Sequence, residues 1–194
     1  NNCIAIACVT ITEPPALGTI TAQTNVSCNG GNNGAASVSA TGGVPAYTYK
    51  WSTGATISGI SGLTAITYKV TVTDANGASS IKTIIISEPT LLTASTVQTN
   101  VSCNGGADGS ATVAASGGTP AYTYRWSNGG TPTTVSGLPA GAYTATVRDA
   151  NGCQTINSLT ITEPTLLTSS AASTNVKCKN ACDGAAGITG SGGT

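Results

Sequence analysis

Short runs in which apolar and polar residues alternate recur along the whole chain, and Gly, Asn and Pro separate one run from the next. An alternation with period two places every second side chain on one face of an extended strand, whereas a helix needs a period near 3.6. No segment carries the helical period, so the pattern predicts an all-β protein. The side chains predicted to fill its core are Tyr47, Tyr49, Trp51, Tyr68, Tyr122, Tyr124, Trp126 and Tyr143.

The stretch from Leu91 to Thr165 shows how these runs are arranged. It divides into seven candidate strands, and the connections between them contain Asn-Gly and Gly-Gly, which suit the positive φ angles of tight turns. Seven short strands at this spacing predict an immunoglobulin-like β-sandwich. The candidate strands are Leu92 to Ser102, Ser110 to Ser116, Ala121 to Trp126, a short piece from Asn128 to Thr131, Thr133 to Leu138, Ala142 to Arg148 and Gln154 to Thr162.

The same order of runs is repeated at a fixed offset of 75 residues. Residues 16–90 laid over residues 91–165 share 42 identical positions of 75 without a gap. Such self-similarity indicates a tandem array of one folding unit, and the short Glu-Pro linkers favour stiff joints between units. We therefore predict an extended rod of modules: residues 1–15 end one module, residues 16–90 and 91–165 are complete modules, and residues 166–194 begin another.

The composition limits the partners that such a rod could bind. Only 7 % of the residues are charged, seven basic and seven acidic, so we expect no basic surface for nucleic acid. The longest apolar runs are far shorter than the roughly 20 residues of a membrane-spanning helix, so we expect no membrane span. The partners predicted instead are neighbouring repeats of the same chain and polysaccharides or other surfaces, with lateral self-association as an alternative.

Catalytic chemistry has few candidate residues in this chain. Histidine is absent, which removes Ser-His and Cys-His nucleophile pairs, and we predict neither enzymatic activity nor a cofactor. Calcium is the one ligand to weigh, because Asp74 with Asn76 and Asp149 with Asn151 offer oxygen atoms. The ion takes about six to eight oxygens, however, and an Asx turn explains the same residues without a metal.

Seven cysteines in a histidine-free chain favour disulfides and an oxidising compartment over a zinc site. Cys103 follows the first strand of its module and Cys153 lies in the last hairpin, so in a sandwich they sit at opposite ends, about 20 Å apart. A disulfide requires Cα atoms within about 7 Å. We therefore predict a bridge between modules from Cys28 to Cys153, with an internal bridge from Cys103 to Cys153 as the alternative.

The remaining cysteines fit this scheme less simply. Cys3 matches Cys153 in the repeat and Cys178 matches Cys28, whereas Cys8 and Cys182 have no cysteine at their equivalent positions. Cys182 could bridge Cys178 locally, or these residues could pair with modules beyond this segment. Both alternatives stay open at the level of the sequence.

Several words of the repeat, taken together, resemble a known family. The words CNGG, GG-x-P-x-Y-x-Y-x-W, GL-x-AG-x-Y and DANGC are similar to those of the SprB-type repeat of Bacteroidetes surface adhesins. The resemblance implies very large cell-surface proteins that the type IX secretion system exports, some of which serve gliding motility and attachment, and it implies no catalytic residues. Two departures fall in the first complete module, where Ala78 replaces the hairpin cysteine and GLTAIT at Gly62 replaces GLPAGA.

The leading hypothesis is therefore a non-enzymatic extracellular protein on the cell surface, whose modules form a stalk or filament involved in adhesion. A self-assembling fibre subunit is one alternative, in which neighbouring chains pack laterally. A carbohydrate-binding module is another, and it would need exposed aromatic side chains, whereas Trp51 and Trp126 are expected in the core.

Overall fold

A computed structural model describes residues 8–179 and 182–194. Every regular element within these ranges is a β-strand, which confirms the all-β prediction. The chain divides into two compact units, residues 1–90 and 91–194, and this boundary coincides with the predicted start of a module at Leu91. Of the predicted partial module 1–15, the part that includes Cys3 lies outside the described residues. No helix in the described ranges is long and apolar enough to cross a membrane.

The first unit is a sandwich of two antiparallel sheets with three strands each. Its strands are β1 (Gly18–Thr24), β2 (Gly34–Thr41), β3 (Thr48–Trp51), β4 (Gly59–Leu63), β5 (Thr67–Thr73) and β6 (Ser79–Ile85). One sheet has the order β1-β2-β4 and the other the order β3-β5-β6. Side-chain hydrogen bonds link the edge strands of the two sheets: the hydroxyl groups of Thr19 and Ser80 bond to each other (3.1 Å), and the side-chain amide of Gln23 donates to the carbonyl of Ile85 (2.9 Å).

The second unit repeats this topology and adds a hairpin. Its strands are β7 (Thr93–Thr99), β8 (Gly109–Ser116), β9 (Thr123–Trp126), β10 (Thr134–Leu138), β11 (Gly141–Arg148), β12 (Gln154–Ile161), β13 (Thr165–Thr174) and β14 (Ala185–Gly193). The sheets have the orders β10-β8-β7 and β12-β11-β9, and β13 pairs with β14. Both units are thus immunoglobulin-like sandwiches, as the sequence predicts.

The two tryptophans lie at the centre of the two cores. Trp51 is 2 % exposed and Trp126 is 1 % exposed, and each ends the third strand of its unit. Their indole N–H groups donate to the carbonyls of Ile57 (2.7 Å) and Pro132 (3.0 Å), so burial leaves no indole donor without a partner. Each core is therefore built around one large side chain whose polar atom is satisfied.

The tyrosines line the rims of these cores. Tyr68 is buried, whereas Tyr47, Tyr49, Tyr122, Tyr124 and Tyr143 are partly buried and pack against the core. Four of the hydroxyl groups donate to nearby backbone carbonyls: those of Tyr47, Tyr68, Tyr122 (to Gly117, 2.6 Å) and Tyr143 (to Pro139, 3.0 Å). The bond from Tyr143 is the tyrosine corner of such sandwiches.

The fourth of the seven strands predicted for the second module does not form. The piece from Asn128 to Thr131 is a turn. The amide of Trp126 donates to the carbonyl of Gly130 (2.7 Å), and the carbonyl of Trp126 accepts from the amide of Gly129 (2.9 Å). Gly129 has a φ of 90°, which suits a turn and not a strand. Because these backbone groups bond to each other locally, the segment closes a loop instead of joining a sheet.

The core predicts the effect of one substitution in the second unit. Trp126→Ala should lower the free energy of unfolding of this unit by about 3–5 kcal/mol, because it leaves a large cavity. Hydrogen exchange at the amide of Val147 would report the loss, and exchange at Val72 in the first unit should not change. Ile156→Ala, at a side chain that is 59 % exposed, is the control and should cost less than about 0.5 kcal/mol. Unchanged exchange at Val147 would contradict the assigned core.

Candidate functional site at the module ends

The loop that carries Cys28 lies beside the segment through which the chain leaves the first unit. The amide of Val26 donates to the carbonyl of Ser87 (2.9 Å), so the loop and the exit segment are bonded directly. We call the loop 25–33 together with residues 87–89 the distal end of the unit. The equivalent distal end of the second unit consists of residues 100–108 and 162–164.

A glutamate braces the distal end of the first unit. The two oxygens of Glu88 accept from the side-chain amide of Asn29 (3.0 Å) and from the backbone amide of Gly30 (2.6 Å). Asn29 also donates to the carbonyl of Pro89 (3.1 Å). Gly30 has a φ of 71°, a conformation that favours glycine. The brace therefore fixes the residues next to Cys28 to the Glu-Pro linker.

The second unit carries the same brace. Glu163 accepts from the side chain of Asn104 (3.1 Å) and from the backbone amide of Gly105 (2.7 Å), and Asn104 donates to Pro164 (3.1 Å). The distances reproduce those of the first unit within about 0.1 Å. A contact that recurs at an offset of 75 residues is a feature of the repeat and not of one copy.

An aspartate organises the opposite end of each unit. We call residues 117–119 with the hairpin 149–153 the proximal end of the second unit. The carboxylate of Asp149 accepts from the backbone amides of Thr119 (2.8 Å), Asn151 (3.0 Å) and Cys153 (2.9 Å). A side chain at Gly118 would lie 2.6 Å from this carboxylate, so the glycine makes room for it.

The first unit has the same arrangement at its proximal end, residues 42–44 with hairpin 74–78. The carboxylate of Asp74 accepts from the amides of Val44 (2.9 Å), Asn76 (3.0 Å) and Ala78 (2.8 Å). The bond from Asn76 to Asp74 is that of an Asx turn. Calcium at these loops stays only an alternative to the predicted absence of a cofactor. In the ranges that the structure covers, no three His, Cys, Asp or Glu residues form a metal-binding group.

Hydrogen bonds lower the pKa of these carboxylates. For Asp74 the leading cause is the amide of Val44, which outweighs the opposing effect of burial. For Asp149 burial raises the pKa, but the amides of Thr119, Cys153 and Asn151 together lower it more. Each carboxylate is thus stabilised in its charged form by backbone N–H groups.

The cysteines fall into two chemical states. Cys28 and Cys153 are disulfide-bonded, whereas Cys8, Cys103, Cys178 and Cys182 are exposed free thiols. The alternative bridge from Cys103 to Cys153 is therefore not formed, and neither is a local bridge from Cys178 to Cys182. The first unit carries Cys28 at its distal end, and the second carries Cys153 at its proximal end, where it packs against the core.

The glutamate brace is not among the features that the sequence pattern predicts. Glu88 and Glu163 keep the repeat offset, and so do Asn29 and Asn104, but nearly 60 residues separate the members of each pair. The available signal was the repetition of two exposed polar residues at fixed places in a chain with few charges. Such repetition suggests a shared contact, but it does not say which residues are partners.

The aspartates should make stability depend on pH in the acidic range. Because the folded pKa lies below the ordinary value of 3.8, the carboxylate stabilises the fold above that value, and this contribution is lost as the pH falls through the folded pKa. Asp149→Asn should lower the urea midpoint at neutral pH, and its difference from the wild type should shrink below pH 3.8. Glu13→Gln, at an exposed position outside both ends, serves as the control. A difference that does not vary with pH would refute the assignment.

The glutamate brace can be tested by substituting one glutamate at a time and comparing the two units. Glu88→Gln replaces one acceptor by an amide donor, so Gly30 or Asn29 loses its bond, and exchange at the amide of Gly30 should accelerate about tenfold, a loss of roughly 1–1.5 kcal/mol. Glu163→Gln should accelerate exchange at Gly105 and leave Gly30 unchanged. Each variant is thus the control of the other, and equal effects at both glycines in either variant would argue against a local brace.

Two segments of the chain are similar to a known protein family. Residues 20–56 and 95–131 match the family model described as the SprB repeat. Among solved structures, the amphioxus IgVJ-C2 molecule is similar at 14 % sequence identity and a TM-score of 0.31, over 78 % of this chain and 98 % of that chain. No curated protein matches the chain.

The two matched segments occupy equivalent places in the two units. Each begins within the first strand, contains the distal loop with its cysteine and the first segment of the proximal end, and extends just past the core tryptophan. The resemblance inferred from the repeated words is confirmed by these matches. Each of the two units thus contains one segment that matches the SprB repeat.

Proposed function

We propose that this chain is part of a non-enzymatic extracellular protein that forms a stalk or filament on the cell surface and takes part in adhesion, including adhesion during gliding. The observation that carries the proposal is the repetition of one closed sandwich with the same polar contacts at both ends. The SprB repeat is a repeat of Bacteroidetes cell-surface proteins, which supports this location. Polysaccharides and other surfaces are the proposed ligands.

The linker between the two units is held at both of its ends, which is one argument for the stiff joint that we propose. Pro89 is bonded to Asn29 of the first unit, whereas Leu92 is 7 % exposed and belongs to the core of the second. Only Thr90 and Leu91 separate these two anchored residues. A connection of two residues has little conformational freedom, and this supports an extended rod as the shape of the array.

We propose that Cys28 and Cys153 are bonded to each other across this joint. Of the six cysteines in the described ranges, the other four are free thiols, so these two are the pair that the bonding states support. Cys28 belongs to the distal end that precedes the short linker, and Cys153 belongs to the proximal end of the unit that follows it. The disulfide supports an oxidising, extracellular compartment.

Lateral association into a fibre is a second candidate function. Three isoleucines on the edge strands of the first unit, Ile20, Ile81 and Ile85, are 64 %, 65 % and 62 % exposed, and such edges can pack against a neighbouring chain. A carbohydrate-binding module is less well supported, because Trp51 and Trp126 are buried and offer no face on which a sugar could stack.

Labelling of intact cells would test the proposed location and role. We expect Fab fragments raised against folded residues 16–165 to decorate projections on the cell surface in electron micrographs, and to reduce attachment of the cells. Fab fragments against the reduced, unfolded segment are the matched control. Mass per length of the projections distinguishes one chain from a multi-chain fibre. Label confined to the cell interior, or attachment that the first Fab leaves unchanged, would overturn the adhesive role.

A further inference from the structure

The two disulfide-bonded cysteines enclose nearly all of the two sandwiches. Cys28 follows β1 and Cys153 precedes β12, so the ten strands from β2 to β11 lie between them in the sequence. Both core tryptophans, Trp51 and Trp126, are inside this span. A bond between the two sulfurs would close residues 28–153 into one covalent loop.

Of the strands that form the two sandwiches, the loop leaves out β1 and β12, each of which is an edge strand; the hairpin β13-β14 also lies outside it. β1 is the edge of the sheet β1-β2-β4, and β12 is the edge of the sheet β12-β11-β9. A strand rises about 3.3 Å per residue, close to the limit of roughly 3.3–3.6 Å per residue for a fully extended chain. Tension along either strand can therefore lengthen it by only a small amount.

We infer that the disulfide between Cys28 and Cys153 transmits tension, so that force on the chain passes along β1, across the disulfide and along β12, a route that we call the disulfide path. This inference rests on the pairing proposed above. Residues 29–152 then lie outside the path of the force, and the two cores carry no extension even when their hydrogen bonds open. Each module contributes to the path one strand that is already extended.

Each cysteine is fixed within its own module, as such a path requires. The loop of Cys28 is held by the bond from Val26 to Ser87 (2.9 Å) and by the Glu88 brace on the residues that follow it. On the other side, the amide of Cys153 is bonded to Asp149 (2.9 Å). Before any load is applied, both cysteines are therefore held in loops whose positions are fixed by hydrogen bonds.

The size of the loop gives a length that can be measured. Cys28 and Cys153 are 125 positions apart, and at roughly 3.3–3.6 Å per residue the loop stores about 410–450 Å of chain. The internal bridge from Cys103 to Cys153 spans 50 positions and would store about 165–180 Å. The length released when the bond is cut therefore identifies the bond.

Force spectroscopy of the full chain, oxidised and tethered at its termini, tests the inference. At a force that unfolds both modules, we expect extension to stop with the loop still closed. Dithiothreitol then reduces the disulfide to two thiols and is itself oxidised to a cyclic disulfide, and a single step of about 410–450 Å should follow. Cys28→Ser should reach the full length without reductant and show no later step, whereas Cys103→Ser should behave as the wild type.

Three results would overturn the inferred disulfide path: full extension of the oxidised chain before reductant is added, a step of another size, or the same step in Cys28→Ser. If that variant does not fold, the reductant step of the wild type still decides. Peptide mapping of the same oxidised sample without reductant must show the Cys28–Cys153 peptide. A missing reductant step would contradict the disulfide path but not the proposed surface location. A missing surface label would contradict the location but not the disulfide path, so the two failures are distinguishable.

Discussion

The structure depends on carboxylates that accept hydrogen bonds from backbone N–H groups at the turns. Six of the seven acidic side chains make such a bond: Asp74, Glu88, Asp108, Asp149, Glu163 and Asp183. A sandwich with short strands has a large fraction of its backbone in turns, where amide groups lack sheet partners. Asp74 and Asp149 each satisfy amides from two segments at once, and the other four carboxylates each satisfy one amide of a loop, so together they set where these loops lie. The positions of the cysteines follow from the positions of these loops.

The conformation of the hairpin at the proximal end does not depend on the cysteine. Ala78 and Cys153 occupy equivalent places, and their amides donate to Asp74 and Asp149 at 2.8 Å and 2.9 Å. The same backbone therefore forms with either side chain. Sulfur at this place adds a covalent bond to a hairpin that the aspartate has already built, so a repeat can gain or lose the bond without losing its fold.

The sequence predicts the strands well wherever one face is buried. In β8 the buried residues alternate as Gly109, Ala111 and Val113, and this is the period that the strand assignment used. The turn at Asn128 was assigned wrongly because a run of four residues carries too little periodicity to separate a strand from a loop. The brace between Glu88 and Asn29 was not predictable from pattern at all, since it joins exposed residues distant in sequence. Spacing and strand length were enough to propose one bridge over another, because the geometry of a sandwich separates its two ends.

The engagement of the carboxylates also bears on how such a surface could adhere. With seven basic residues, seven acidic residues and most carboxylates bonded to backbone, little charge is left to attract a ligand from a distance. Contacts by Thr and Ser hydroxyl groups are individually weak, because each replaces a hydrogen bond to water. Binding of this kind becomes strong only when many equivalent contacts act together, since each contact after the first is effectively intramolecular. A tandem array supplies that multiplicity, provided that its modules stay folded under load, and the proposed disulfide would favour this by keeping tension off residues 29–152.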